Sequence, residues 1–229
     1  MQLILDQKDY PHRLGKVVCV GRNYAAHAKE LNNPVPSSPI LFIKPASSVV
    51  PLGPTFGIPN DQGSVHHELE IAILIGKPLS HASTDQVGES IAGIGLALDL
   101  TLRDVQNTLK EKGHPWERAK SFDGACPLTE FVSVNVTSKD NVTLKEIWQS
   151  IYLKLVKNDQ LQQQGNSSEM LFPILPLIAH MSEHFSLLPG DIILTGTPAG
   201  VGPLMVGDAL SCELSLENNV LLTSEAVVV

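Results

Sequence analysis

The stretch VHHELEIAILIG, residues 65 to 76, decides the fold of this chain. It predicts one long strand over 65–76. Its second half is apolar at every position, so both faces of that half are buried. Side chains alternate across a strand, which puts Glu68 and Glu70 on one face. Two like charges side by side repel unless a cation sits between them.

Working outward, "IAGIGLALDL" (91–100) is a second apolar strand, closing near Asp99. "KVVCV" (16–20), "ILFI" (40–43) and "GDIILTG" (190–196) read as further short strands. "SIYLKLVKNDQLQQQG" (150–165) alternates around Asn158-Asp159 and predicts a hairpin. "ALSCELSLE" and "VLLTSEAVVV" predict two more strands toward the C-terminus. Helices are fewer. "YAAHAKEL" (24–31) is a brief one, followed by the Pro- and Ser-rich loop "NNPVPSSP", a segment suited to movement. Thr101 and Asp104 suggest a capping box for the helix "LRDVQNTLKEK", which Gly113 ends. "PILPLIAHMSEHF" reads as helical, with Pro176 as a point where the helix begins afresh. Strands outnumber helices without a regular strand–helix–strand rhythm. The expected fold class is α+β, a mixed β-sheet curled into a β-roll with a few short peripheral helices. The 229 residues suffice for one domain spanning 1–229, with 1–15 as a lead-in.

Composition excludes several function classes. A net charge of -8 argues against nucleic acid as a partner, because phosphate contacts need basic clusters. No apolar run reaches the length of about 18 residues that a membrane-spanning helix needs. The start "MQLILDQKDYPHRL" lacks the pattern of a signal peptide. Cys19, Cys126 and Cys212 are odd in number and scattered, which argues against a disulfide framework or zinc site and fits a reducing cytoplasm. They read as packing residues.

Glu68 and Glu70, with Asp99 at the end of the neighbouring strand, offer three oxygen donors and no sulfur. That set suits a hard divalent cation, Mg²⁺ or Mn²⁺. The pair E-x-E by itself equally describes a solvated strand end. Adjacent His66 and His67 face opposite ways on a strand and do not chelate together; His67 reads as structural. In "GRNYAAHAKEL", His27 and Glu30 stand three apart on one helical face, an arrangement for a general base or for an ordinary surface ion pair. Lys120 in "WERAKSF" is a lone lysine after a Pro-Trp turn. "LTGTPAGVGP" is Gly-rich but lacks the lysine and following helix of a phosphate loop; its backbone N–H groups and Thr197 suit a carboxylate.

Taken in order, "VVCVGRNYAAHAKE", "PILFIKP", "VHHELEIAILIG", "ALDLTLRDVQ", "PWERAKSFDGACP" and "GDIILTGTPAGVGP" closely resemble the fumarylacetoacetate hydrolase family, over about 16 to 207. The chain is similar to its short acylpyruvase and oxaloacetate decarboxylase subgroup. The resemblance implies metal ligands Glu68, Glu70 and Asp99. It implies a mobile lid over 22–39 carrying the His27–Glu30 pair, and Lys120 as the oxyanion-stabilising lysine. Substrate contacts are implied for Arg103, Gln106, Thr197 and Lys44, with Arg22 and Tyr24 at the lid's hinge. A homodimer and a small 2-oxo acid substrate follow from the same resemblance.

The leading expectation from these residues is Mg²⁺-dependent hydrolysis of a 3-acylpyruvate to pyruvate and a carboxylic acid, with His27 and Glu30 activating water. Oxaloacetate decarboxylation stands second. Oxaloacetate keto–enol tautomerisation and dienoate isomerisation stand third, since all of them pass through an enolate. A 2-oxo acid sensor without turnover is the reading from another class.

Overall fold

The structure, a computed structural model, describes residues 1–30, 34–133, 147–217 and 219–229. Strands β1 (Ile4–Leu5) and β2 (Lys8–Asp9) pair in a small hairpin, and β3 (Val17–Gly21) leads to helix α1 (Ala25–Glu30). Next come β4 (Ile40–Lys44), β5 (Val49–Pro51), β6 (Thr55–Phe56), β7 (Val65–His67) and β8 (Leu69–Ile75). Helix α2 (Thr84–Gly88) precedes β9 (Ile91–Leu98), β10 (Thr101–Leu102), α3 (Arg103–Glu111), α4 (Glu117–Lys120) and β11 (Cys126–Leu128). The remainder holds β12 (Ile151–Lys157), β13 (Gln160–Asn166), α5 (Ile174–His184), β14 (Ile192–Leu194), β15 (Gly202–Pro203), β16 (Ala209–Leu216) and β17 (Asn219–Val228).

Seven strands form the central mixed sheet in the order β4-β3-β14-β8-β9-β11-β5. Five more form a second sheet, β13-β12-β16-β17-β6. The two pack face to face and curl into the expected roll. Strand β8 shows why. Ile71, Ile73 and Ile75 join Leu153, Leu155 and Leu214 of the second sheet and Leu177, Ile178 and Met181 of α5 in one core. Ala72 and Leu74 point the other way, into a second core with Cys19, Cys126 and Leu194. Leu3, Tyr10 and Phe131 close that second core, so the N-terminal lead-in covers the outer face of the sheet. A strand covered on both sides carries no polar alternation, which is what the run at 71–75 shows.

The expected hairpin forms, and its turn is set by Asn158 and Asp159 at φ 50° and 62°. Two successive positive φ values make the turn whose twist matches the flanking strands. Gly113 ends α3 as expected: its N–H reaches Lys110 O and that of His114 reaches Leu109 O, at φ 64°.

Three local expectations are corrected. The strand over 65–76 is interrupted at Glu68, which lies between β7 and β8; β7 instead pairs with β10 and β15. The capping box at Thr101 and Asp104 does not form. Thr101 lies in β10 and donates its hydroxyl to Asp99 O, while Asp104 Oδ2 accepts from Ser64 N. Pro176 does not restart α5, which runs unbroken from an N-cap at Pro173. In the first turn of a helix the missing N–H has no intrahelical partner to lose. The lid expected over 22–39 is described except for 31–33, which lie outside the described residues. Among the described residues no helix is long and apolar enough to cross a membrane. All three cysteines are free and buried.

Candidate active site

The hairpin of β8 and β9 assembles three carboxylates. Leu69 pairs with Leu98, and one residue further Asp99 N donates to Glu68 O at 2.8 Å. Glu68 and Asp99 are therefore cross-strand neighbours, and Glu70 follows on the same face. Ligand atoms of all three lie within 4.8 Å of one another, and all three residues are buried.

Three cations answer them. Lys120 Nζ donates to Asp99 Oδ2 at 2.6 Å and to Glu68 Oε2 at 2.8 Å, and stands 5.3 Å above the Phe42 ring. Arg103 Nη2 donates to Glu68 Oε1 at 2.5 Å, and its Nη1 to Gln106 Oε1 at 2.7 Å. Lys44 Nζ lies 2.7 Å from Asp99 Oδ1, off the hydrogen-bond direction, and donates to Ala125 O at 3.1 Å and to Lys120 O. Burial pushes Glu68 upward, but Lys120 and Arg103 overcome it and hold its carboxyl well below the usual range. Burial likewise opposes the charge on Lys120, and Asp99 and Glu68 reverse the sign and raise it.

Glu70 is the exception. It is 1% exposed, and its hydrogen bond comes from a neutral donor, Gly196 N, at 2.6 Å. Burial, then the charges of Asp99 and Glu68, push its carboxyl well above the ordinary value. The cluster is thus short of positive charge at Glu70. The donor set fits a divalent cation on two independent grounds: three convergent carboxylates without sulfur, and Asp99 Oδ1 and Glu70 incompletely satisfied by the protein.

These groups line one narrow cavity of about 30 Å³. Its wall carries Arg22, His27, Arg103, Gln106, Lys120 and Thr197 as expected, plus Phe42, Lys110 and Trp116. His27 Nδ1 faces Glu30 Oε2 at 3.4 Å, and Glu30 also accepts from Gly200 N at 3.1 Å. The pair therefore seats α1 on the glycine-rich loop. With Nδ1 turned to the carboxylate, Nε2 is the nitrogen left for proton transfer.

Two expected contacts are displaced. Lys44 does not line the cavity; it is fully buried behind the carboxylates, where three carbonyls and Asp99 hold it. Tyr24 is buried against Met170 and Gly165, with its hydroxyl unpartnered, and burial first and Glu70 next raise it well above its ordinary value. Neither is among the residues that line the cavity. Thr197 lines the wall, yet its hydroxyl donates to Leu69 O at 2.8 Å and accepts from Gln163 Nε2 at 2.7 Å, so it first ties the loop to β8.

Two positioning residues carry no signal in the sequence. Gln163, on β13, accepts from Leu69 N at 2.9 Å and contacts His67 Nδ1 at 3.1 Å, while its amide donates to Thr197 and to Pro198 O. Burial pushes His67 down to about 4, so it stays neutral and structural. Asn23 is fully buried and spans Thr195 O, Phe172 O and Phe172 N. It fixes the turn at Arg22, whose φ of 61° is unusual for a non-glycine residue. Gly196 meets it closely: a Cβ there would stand 2.6 Å from that of Asn23. Lys110 was legible in principle, since Arg103, Gln106 and Lys110 follow the 3-4 spacing of one helical face. Replacing Gln163 with leucine is expected to cost about 3 kcal/mol, because it leaves several buried polar groups unpaired; urea unfolding of the two proteins checks this.

Comparisons with known proteins identify the family. A family model described as fumarylacetoacetate (FAA) hydrolase C-terminal matches residues 16–224. The oxaloacetate tautomerase YcgM of Escherichia coli (strain K12) is 50% identical over 203 residues, covering 89% of each chain. A crystal structure from Oleispira antarctica, provisionally called a fumarylacetoacetate isomerase/hydrolase, superposes with a TM-score of 0.96 at 77% identity over 100% of both chains. The fumarylpyruvate hydrolase of Pseudomonas aeruginosa, solved with Mn²⁺ and pyruvate, gives a TM-score of 0.87 at 29% identity over 100% of this chain and 95% of that one. From its fold, its carboxylate cluster and these matches, the chain belongs to the fumarylacetoacetate hydrolase family of enzymes.

Proposed function

We propose that this chain catalyses keto–enol tautomerisation of oxaloacetate, with a divalent cation, Mg²⁺ or Mn²⁺, held by Glu68, Glu70 and Asp99. The observation that carries the reading is the gathering of Arg22, Arg103, Lys110 and Lys120 around the carboxylates on one cavity wall. Beyond Lys120 and Arg103, which pair with the carboxylates, Arg22 and Lys110 line the same cavity. Burial, then Arg22 and Arg103, depress the Lys110 ammonium, as expected for cations crowded together. A doubly anionic acid suits this wall better than a singly charged one such as acetylpyruvate. This charge pattern favours oxaloacetate over the acylpyruvate expected from the sequence, and the 50% identity to an oxaloacetate tautomerase supports the same order.

The cation would supply Lewis acidity toward the 2-oxo oxygen, favouring the enolate. His27 Nε2 exchanges the proton at the carbon between the two carbonyl carbons, with Glu30 fixing the imidazole tautomer. Lys120 supports negative charge on the oxygen. Arg103, held by Gln106, and Lys110 orient the distal carboxylate. Phe42 and Trp116, with ring centroids 6.0 Å apart, form a wall that excludes water. Movement of α1, which carries His27 and Glu30 beside the cavity, would widen the entry for a four-carbon acid.

The test follows the enol absorbance of freshly dissolved oxaloacetate with metal-stripped protein, with and without Mg²⁺, while pyruvate and keto acid are quantified. The expected result is Mg²⁺-dependent loss of enol with oxaloacetate conserved, slowed about 10²-fold or more by His27→Ala. Pyruvate and CO₂ appearing at the same rate would replace tautomerisation by decarboxylation. The second reading, acylpyruvate hydrolysis, draws on the His27–Glu30 pair and the likeness to fumarylpyruvate hydrolase. Faster turnover of acetylpyruvate to pyruvate and acetate would put it first. A homodimer in the cytoplasm completes the proposal.

A further inference from the structure

Far along the chain from the carboxylates, the last two turns of α5 carry His180, Glu183 and His184. Their ligand atoms lie within 4.8 Å of one another. The spacing i, i+3, i+4 puts all three on one helical face. The imidazole rings of His180 and His184 stand edge to face with centroids 4.8 Å apart, and His180 Nδ1 lies 3.5 Å from Glu183 Oε2. The opposite face of the helix is locked: Leu177, Ile178 and Met181 are buried, and Ser182 Oγ accepts from Ala82 N at 2.9 Å and donates to Ala179 O at 2.7 Å. The three side chains therefore face outward, with the His180 side chain 34% and that of Glu183 58% exposed.

We propose that His180, Glu183 and His184 form a second metal site, for a borderline transition-metal ion such as Zn²⁺ or Cu²⁺. The donor set differs in kind from that of the buried cluster. Two imidazoles and one carboxylate select Zn²⁺ and Cu²⁺, whereas three carboxylates select Mg²⁺ and Mn²⁺. Two further features favour a cation here. The site lies on the last turns of α5, where unpaired carbonyls concentrate negative potential. The rigid helix also holds the two imidazoles one turn apart before any ion arrives, so little ordering is needed on binding. Three protein ligands leave a position open to water or to a further donor. An ion here would staple the end of α5, next to the pairing of Leu187 with Leu79 that joins the helix exit to the loop before α2.

The test is calorimetric titration of untagged full-length protein with ZnCl₂ in saturating Mg²⁺, which keeps the carboxylate cluster filled. One Zn²⁺ ion per chain is expected, with a rise in melting temperature. His180→Ala and His184→Ala should each weaken binding by about 10-fold or more, and the double variant should abolish it. Substoichiometric Cu²⁺ should selectively broaden the imidazole NMR signals of the same two residues. Far-ultraviolet circular dichroism and Mg²⁺-dependent turnover of the variants establish that they are folded. Zn²⁺ uptake unchanged in the folded double variant would overturn the proposal, as would a wild-type protein that takes up no Zn²⁺ under these conditions.

Discussion

Glu70→Gln is expected to raise the melting temperature of the metal-free protein and, in the same molecule, to remove nearly all activity. The two effects share one cause. Glu70 is buried beside Asp99 and Glu68, and among the described residues its hydrogen bond comes from a neutral donor, the backbone N–H of Gly196. Its ionised form is a cost to the fold until a cation shares the site. Glutamine keeps an oxygen for Gly196 N and removes the charge. The sign can be followed with pH. The folded-state pKa lies above the unfolded value of about 4.3, so the unfolded chain releases this proton first. As pH rises from there toward the folded pKa, the wild-type fold is increasingly disfavoured, and Glu70→Gln lacks that loss. For a chain of this length each kcal/mol recovered moves the midpoint by about 2–4 °C. Thermal melts with and without Mg²⁺ test both halves. The wild type should gain stability on adding Mg²⁺. The variant should gain little, and its turnover should fall by about 10²-fold or more. A variant that melts lower than the metal-free wild type would show that Glu70 is already adequately paired.

Lys44→Met is expected to be among the most destabilising single changes in the chain. The lysine has no exposed surface, and its ammonium serves Asp99 and the carbonyls of Leu100, Lys120 and Ala125. Methionine fills much of the same space, so packing changes little. What is lost is the cation, and Asp99 is left as a buried charge with one partner fewer. Breaking a buried pair in this way costs about 3–5 kcal/mol. At about 2–4 °C per kcal/mol, the midpoint should drop by roughly 6–20 °C. Urea unfolding of the wild type, Lys44→Met, Asp99→Asn and the double variant gives the coupling directly. A coupling near zero would mean that Lys44 does not hold Asp99.

These two predictions concern residues whose legibility differed. The pairing of Glu68 with Glu70 on one face was readable, because the alternation of a strand is set by the backbone alone. The family resemblance implies a substrate contact for Lys44, whereas in the structure it is fully buried against Asp99 and does not line the cavity. Nothing in "FIKP" says which side of the sheet the lysine leaves by. Gln163 was invisible for a related reason. It belongs to a run of glutamines on an alternating strand, and its partner Leu69 N is 94 residues away. The errors within helices were of another kind. Thr101 and Asp104 have the residue types of a cap, yet Thr101 was recruited into β10 and Asp104 to Ser64, because strand pairing supplied partners that a local rule does not see.

The sequence by itself determined the features whose physics acts within a few residues. These include the doubly buried strand at 71–75, the turn at Asn158-Asp159, the helix stop at Gly113, and carboxylates projecting together. Only the tertiary structure decided how charge is balanced at the site. Lys120 reaches Asp99 across 21 residues of chain and Glu68 across 52, while Glu70 is left with a neutral donor. Periodicity fixes which way a side chain leaves its own strand. Which cation meets it there depends on how distant strands and loops stack, and that is settled by burying both faces of the central sheet at once.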